Sequence, residues 1–215
     1  FPRAIAIVPC AVISKEIEFV NANGSMSSKI KNILQLIIVF SVLTVSGLLA
    51  AVLRLVSFGE LIAFNRKYLV ANSSKLILKL VGIKLVLPPD YKNPSESTFI
   101  TFNHNSYLDI FALTAMGLEN VSFLLSEKTL KIIPLTLSAF GIGIIYIPQK
   151  KHKDRRKHFF KGLEQRITHE NLSIAGASEG VHDHHHGIDK FNKGDYHVAM
   201  NCNMNIQPLF IYVPE

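Results

Sequence analysis

The sequence predicts an α/β protein: a mixed β-sheet flanked by helices, behind an N-terminal hydrophobic helix that belongs in a membrane. Three observations carry this. From residue 83 onward, short β-rich runs alternate with helical stretches, the pattern of a sheet with helices on its faces. Residues 33–53 read ILQLIIVFSVLTVSGLLAAVL, without a charge. The chain also combines 48% hydrophobic residues with a net charge of +7, a pairing suited to an anionic membrane surface. Charge alone would also allow nucleic acid as a partner. No zinc-finger spacing, RNP-like aromatic motif or basic-region helix supports that, and no nucleic acid is expected. Cys10 and Cys202 form no CxxC pair, so cysteine usage is silent on redox compartment.

Taken in order, residues 1–25 form an N-terminal extension without a clear signal. Met26 directly precedes SSKIKN and the apolar run, and translation is expected to start there. Residues 26–58 are expected to be the hydrophobic membrane anchor, and 59–215 the α/β domain. As a helix, residues 33–53 would be about 31 Å long, close to the thickness of a bilayer's hydrocarbon core. A cleaved signal peptide has a shorter apolar core and a small-residue cleavage site, and RLVSFGE is a poor one. Lys29, Lys31 and Arg54 flank the run on both sides, which leaves its orientation open.

The stretch FGELIAFNRKYLVANSSKLILKLVG reads as an amphipathic helix with Lys67, Lys75 and Lys79 among leucines, able to lie on a membrane. IKLVL reads as a strand closed by Pro88 and Pro89, STFITF as a strand, and YLDIFALTAM as a helix. VSFLLS is a strand, TLKIIPLTLSAFG a helix disturbed by Pro134, and IGIIYIP a strand. In DRRKHFFKGLEQRITHE, Phe159, Leu163 and Ile167 mark one helical face. LSIAGA is a strand, 178–190 a polar loop, and IQPLFIYV a last strand. The sheet stops abruptly at Glu215, so a C-terminal piece is expected to be missing.

One stretch, TFITFNHNSYLDIF, carries chemistry: His104 and Asp109 lie five positions apart, just past a strand. On one regular helix they would point roughly 140° apart. They meet if His104 sits on the loop and Asp109 in the first turn of the next helix. Ser106 as N-cap would put Asp109 at the third helical position. A carboxylate bonded to one imidazole nitrogen fixes the tautomer and supports the other nitrogen as a base. The plainer reading is a Ser106–Asp109 capping box with His104 an ordinary loop residue. The two are compatible.

NHNSYLD resembles the N-H-x-x-x-x-D block of the glycerolipid acyltransferases, the 1-acylglycerol-3-phosphate acyltransferase family. Further blocks follow in that family's order. GIGIIYIPQ resembles its second block and ASEGVHD its third, Phe-Pro-Glu-Gly-Thr-Arg-Ser. FNKG at 191–194 resembles the following Phe-x-x-Gly, and IQPLFI the fourth block. The resemblance covers roughly residues 60–215 and extends to the membrane segment.

It implies a membrane-bound enzyme of phospholipid synthesis with a glycerolipid acyltransferase-like fold. His104 would be the general base and Asp109 its orienting partner. The acceptor, a lysophospholipid and first of all 1-acylglycerol-3-phosphate, would attack an acyl thioester on CoA or acyl carrier protein. No cofactor beyond that co-substrate and no metal is required. Glu179 and Gly180 would belong to the acceptor pocket. Gln149 stands where the second block usually has Arg, after Pro148 in place of Asp. Ser178, Val181 and His182 replace Pro, Thr and Arg of the third block. In the family those arginines are associated with the acceptor's phosphate, and glutamine cannot offer arginine's bidentate fork. His182 and Lys150 are the candidate replacements. The run QKKHKDRRK is otherwise a solvated basic segment, and another lyso-lipid acceptor stays open.

Two readings from other classes compete. GASEG at 176–180 matches the G-x-S-x-G elbow of a serine esterase using Ser178, with Asp189 or Asp195 and His197 left for a triad. The segment VHDHHHG after it is poor helix. A non-catalytic membrane lipid-binding protein would keep the fold, but has no use for a poised base. HDHHH at 182–186 is read as a polar loop, since adjacent histidines rarely converge on one ion.

Overall fold

The computed structural model describes residues 11–15, 26–89, 91–94, 96–104, 108–177 and 191–212. Helix α1 (Met26–Val56) contains the apolar run and is followed by a short α2 (Ile62–Phe64), a π-helical turn (Asn65–Val70) and α3 (Ala71–Leu80). β2 (Ile83–Val86) packs against α3 and pairs with β1 (Ala11–Lys15), within the segment read as an extension.

The central sheet is built from β3 (Thr98–Phe102), β4 (Val121–Ser126), β5 (Ile145–Ile147), β6 (Ser173–Ala177) and β7 (Asn205–Leu209). Its order is β5-β4-β6-β3-β7 and its pairings are parallel. The crossovers run through α4 (Asp109–Ala115), α5 (Ile133–Gly141), α6 (Lys153–Glu170) and α7 (Lys193–Asn201). The mixed pairing sits in a second, small sheet. There β1 runs antiparallel to β2 and parallel to β8 (Ile211–Tyr212). IKLVL thus joins the small sheet rather than the central one. The last β-rich run is split between β7 and β8 at Phe210.

Side-chain alternation explains the three layers. Every residue of β3 is buried. Phe99 packs with Leu163, Ile167 and Val198 of α6 and α7. Ile100 and Phe102 pack with Leu78, Ala112 and Leu113 of α3 and α4. The predicted stripe on α6 is the stripe it buries. Pro134 disturbs nothing: it occupies the start of α5, after a 3₁₀ turn (Glu127–Lys131), where a helix has no use for the missing N–H.

α1 rests on α5 through small residues. Its buried stripe is Leu43, Ser46, Gly47, Ala50 and Ala51, spaced three and four apart as a helix face requires. Arg54 Nη1 donates to Phe140 O, and its guanidinium lies 4.4 Å from the Phe140 ring centre. The opposite face leaves Ile33, Ile37, Val45, Leu48 and Val52 exposed. Within Ile30–Val56 an 18-residue window has a mean hydropathy of 2.7, and 28% of that window is buried.

Candidate active site

His104 leaves the carboxyl end of β3, between β6 and β7 in the sheet, and Asp109 is the first residue of α4. The helix therefore starts two positions later than Ser106 capping would require. Leu108 is the N-cap, and its carbonyl accepts from Phe111 N and Ala112 N at 3.0 Å each. Ser106 lies outside the described residues. The expected meeting holds nonetheless. His104 Nδ1 lies 2.9 Å from Asp109 Oδ2.

The burial of the two is asymmetric. The Asp109 side chain is 1% exposed and that of His104 28%, so the imidazole is open to solvent and the carboxylate is not. Opposite a carboxylate in its ionised form, which has no proton to donate, Nδ1 would carry the hydrogen and Nε2 the lone pair. Burying that carboxylate is costly unless it is paired. The imidazole N–H and the amino end of α4 offset the cost.

Asn103 anchors the residue before His104 to β8. Its Nδ2 donates to Ile211 O at 2.9 Å, and its Oδ1 accepts from Ile211 N at 2.7 Å. The side chain acts as a piece of strand, tying the start of β8 to the residue before the base. Spacing toward Asp109 gave no signal for this. The Phe102 ring stands edge-on to His104 with centres 6.4 Å apart.

Sheet register decides what else gathers at this edge. Ala177, the end of β6, pairs with Phe102, so the third block leaves the sheet beside the strand that carries His104. Glu179, Gly180 and His182, like Ser178 and the 182–186 histidines, lie outside the described residues. Gln149 and Lys150 follow β5 at the same edge. They are three strand spacings from β3, about 14 Å. Gln149 is half-buried and Lys150 exposed.

Glu127, at the end of β4, accepts from Gln149 N at 3.1 Å and from Arg155 Nη2 at 3.2 Å. The Gln149 amide first, then Arg155, hold its carboxyl below the usual carboxylate range. Arg156 is not part of a solvated face. It is half-buried, donates to Pro148 O at 2.7 Å and lies 5.2 Å from the Phe160 ring centre. It also faces Asp195, whose carboxyl burial pushes up to about 6 while Arg156 opposes the shift. Neither Glu127 nor Arg156 stands out in sequence, where each belongs to an ordinary charged run.

A family profile described as Acyltransferase matches residues 86–212. The 1-acyl-sn-glycerol-3-phosphate acyltransferase of Haemophilus influenzae is 27% identical over 137 residues, covering 60% of this chain and 54% of that protein. This chain thus spans about half the length of the curated relative it matches. The crystal structure of the 1-acyl-sn-glycerophosphate (LPA) acyltransferase, PlsC, from Thermotoga maritima aligns with a TM-score of 0.52. That alignment covers 85% of this chain and 84% of that one at 13% identity, a likeness of fold.

Proposed function

Because the chain belongs to the acyltransferase family, we propose that it is a membrane-bound enzyme acylating the free hydroxyl of a lysophospholipid, with 1-acylglycerol-3-phosphate as the acceptor. The observation that carries this is the 2.9 Å pairing of His104 with a buried Asp109 at the carboxyl end of β3.

Nε2 of His104 takes the proton of the acceptor hydroxyl as its oxygen attacks the carbonyl carbon of an acyl thioester. The C=O bond opens to an oxyanion. Its collapse re-forms the carbonyl and breaks the C–S bond, and the imidazolium returns its proton to the departing thiolate. The products are an ester and a free thiol, and His104 ends as it began. Asp109 holds the ring and stabilises the passing positive charge. No covalent protein intermediate forms. The donor is acyl-CoA or acyl-acyl carrier protein, and the chemistry needs no further cofactor or metal. Glu179, Gly180, His182 and Gln149 are assigned to the acceptor pocket by their places in the family's blocks, and Lys150 as a cation beside the second block. α1 and the bilayer around it keep acceptor and product at hand.

The test is labelled acyl transfer by membranes offered several lyso-lipid acceptors. His104→Ala should lower the rate by about 10²–10⁴-fold. Equal rates in wild type and variant would remove the mechanism, and activity confined to acceptors without a phosphomonoester would remove 1-acylglycerol-3-phosphate.

A further inference from the structure

Between α3, β2 and the carboxyl end of α4 lies a cleft of about 580 Å³. Its floor is apolar, with Leu78, Leu85 and Met116. Its rim carries Lys75, Lys79 and Lys84, and among the described residues none that lines it is acidic. Local structure makes the three lysines converge. Lys75 and Lys79 are four apart on α3 and share a face. Gly82 then turns the chain with a φ of +75°, and Lys84, in β2, comes back beside the end of α3. All three are exposed.

One effect opposes an anion here, the negative pole at the end of α3, equivalent to roughly half a charge. Gln35 Nε2 donates to Leu80 O and Gly82 N to Lys79 O, which covers part of that pole. Three full positive charges outweigh what remains. The Gln35 contact also places the cleft beside the first half of α1, whose Lys31, Ile33, Leu34 and Ile37 are exposed. A charged rim over an apolar floor thus adjoins the helix assigned to the bilayer.

We propose that this cleft binds an anionic diacyl phospholipid of the surrounding membrane, its phosphate among Lys75, Lys79 and Lys84 and its chains along the apolar floor toward α1. An acidic protein would satisfy the lysines but not the floor. The site is separate from the catalytic pair. α4, about 10 Å long, has Asp109 at one end and the cleft's Ala115 at the other. The proposal therefore goes beyond the acyl-transfer reading and stands or falls without it.

The test uses the full chain reconstituted in phosphatidylcholine bilayers with trace spin-labelled lipid, reading the motionally restricted fraction. Phosphatidylglycerol should be enriched over phosphatidylcholine by at least about five-fold, the factor for a single lysine at an anionic surface. K75Q/K79Q/K84Q should fall to near parity, while K75R/K79R/K84R and the α6 control K157Q/K161Q keep the preference. Should the triple Gln variant fail to fold, each single Gln variant should still lose part of the preference. No preference in wild type, or equal loss in the α6 control, would overturn the proposal. So would an acidic carrier protein bound through these lysines while the lipid preference stays unchanged in the Gln variant.

Discussion

Asp109 is worth more to the imidazole than its charge. Asp109→Asn keeps the shape but offers Nδ1 an amide that can be turned to hold either tautomer, so the lone pair is no longer held at Nε2. Acyl transfer should fall by about 10²–10⁴-fold with the acceptor KM little changed, read from initial rates across acceptor concentration. Asp195 makes a different prediction. Its carboxyl titrates near 6 in the folded protein against an ordinary 3.8, chiefly through burial. A raised carboxyl favours the folded state when protonated, so that contribution is complete below about pH 4 and lost as pH rises through 6. Asp195→Asn should flatten the stability profile over that window. Above pH 7 it should exceed wild type by on the order of 2 kcal/mol, read from thermal unfolding in detergent. Arg66 is a third buried case. Nε donates to Ile142 O at 2.7 Å, Nη1 to Glu119 O at 3.1 Å and Nη2 to Ser122 Oγ at 2.6 Å. Burial first of all pushes it down to about 10, so it stays charged at neutral pH. Arg66→Met strands those acceptors and should cost about 2–4 kcal/mol by denaturant unfolding, with Arg66→Lys recovering only part.

Among the elements, α1 shows how an apolar helix joins the domain it precedes. Its small stripe lets the backbone of α5 approach. A Cβ on Gly141 would stand 2.7 Å from the carbonyl carbon of Ala50 and 3.0 Å from Ala51 N. Alanine in a helix ordinarily gains up to about 1 kcal/mol over glycine. Here the obstacle is backbone, which cannot rotate aside, and overpacking of about 1–3 kcal/mol decides the sign. Gly141→Ala should therefore lower the unfolding midpoint. Asn65 closes the same joint, its Nδ2 donating to Ala50 O at 2.9 Å and to Gly141 O at 3.0 Å.

At the scale of the whole molecule, parallel strands in register bring the loops of β3, β4, β5, β6 and β7 to one edge, where ligands of open α/β sheets bind. α1 packs on α5 and α3 and leaves its opposite, apolar face exposed. This gives a membrane prediction. Wild type should stay in the membrane pellet through a high-salt wash, since apolar burial is not screened. Charges at Ile37 and Val45, both exposed, each cost about 3 kcal/mol at bilayer depth. Ile37→Asp with Val45→Asp should move the protein out of the pellet in a sedimentation assay.

What the sequence alone determined is what neighbours along the chain determine. The alternation of runs set the α/β class, the uncharged 33–53 stretch set α1, and the step from strand to helix set the meeting of His104 with Asp109. Each depends on periodicity or local turns within a few residues. The tertiary structure decided the rest, because contacts between distant segments leave no local trace. Examples are β2 and β8 leaving the central sheet to pair with β1, Asn103 tied to Ile211, Arg156 folded inward from a basic run, and Lys84 returned beside Lys79. Residues hundreds of atoms apart along the backbone acquire a joint role only once burial and strand order put them within bonding distance.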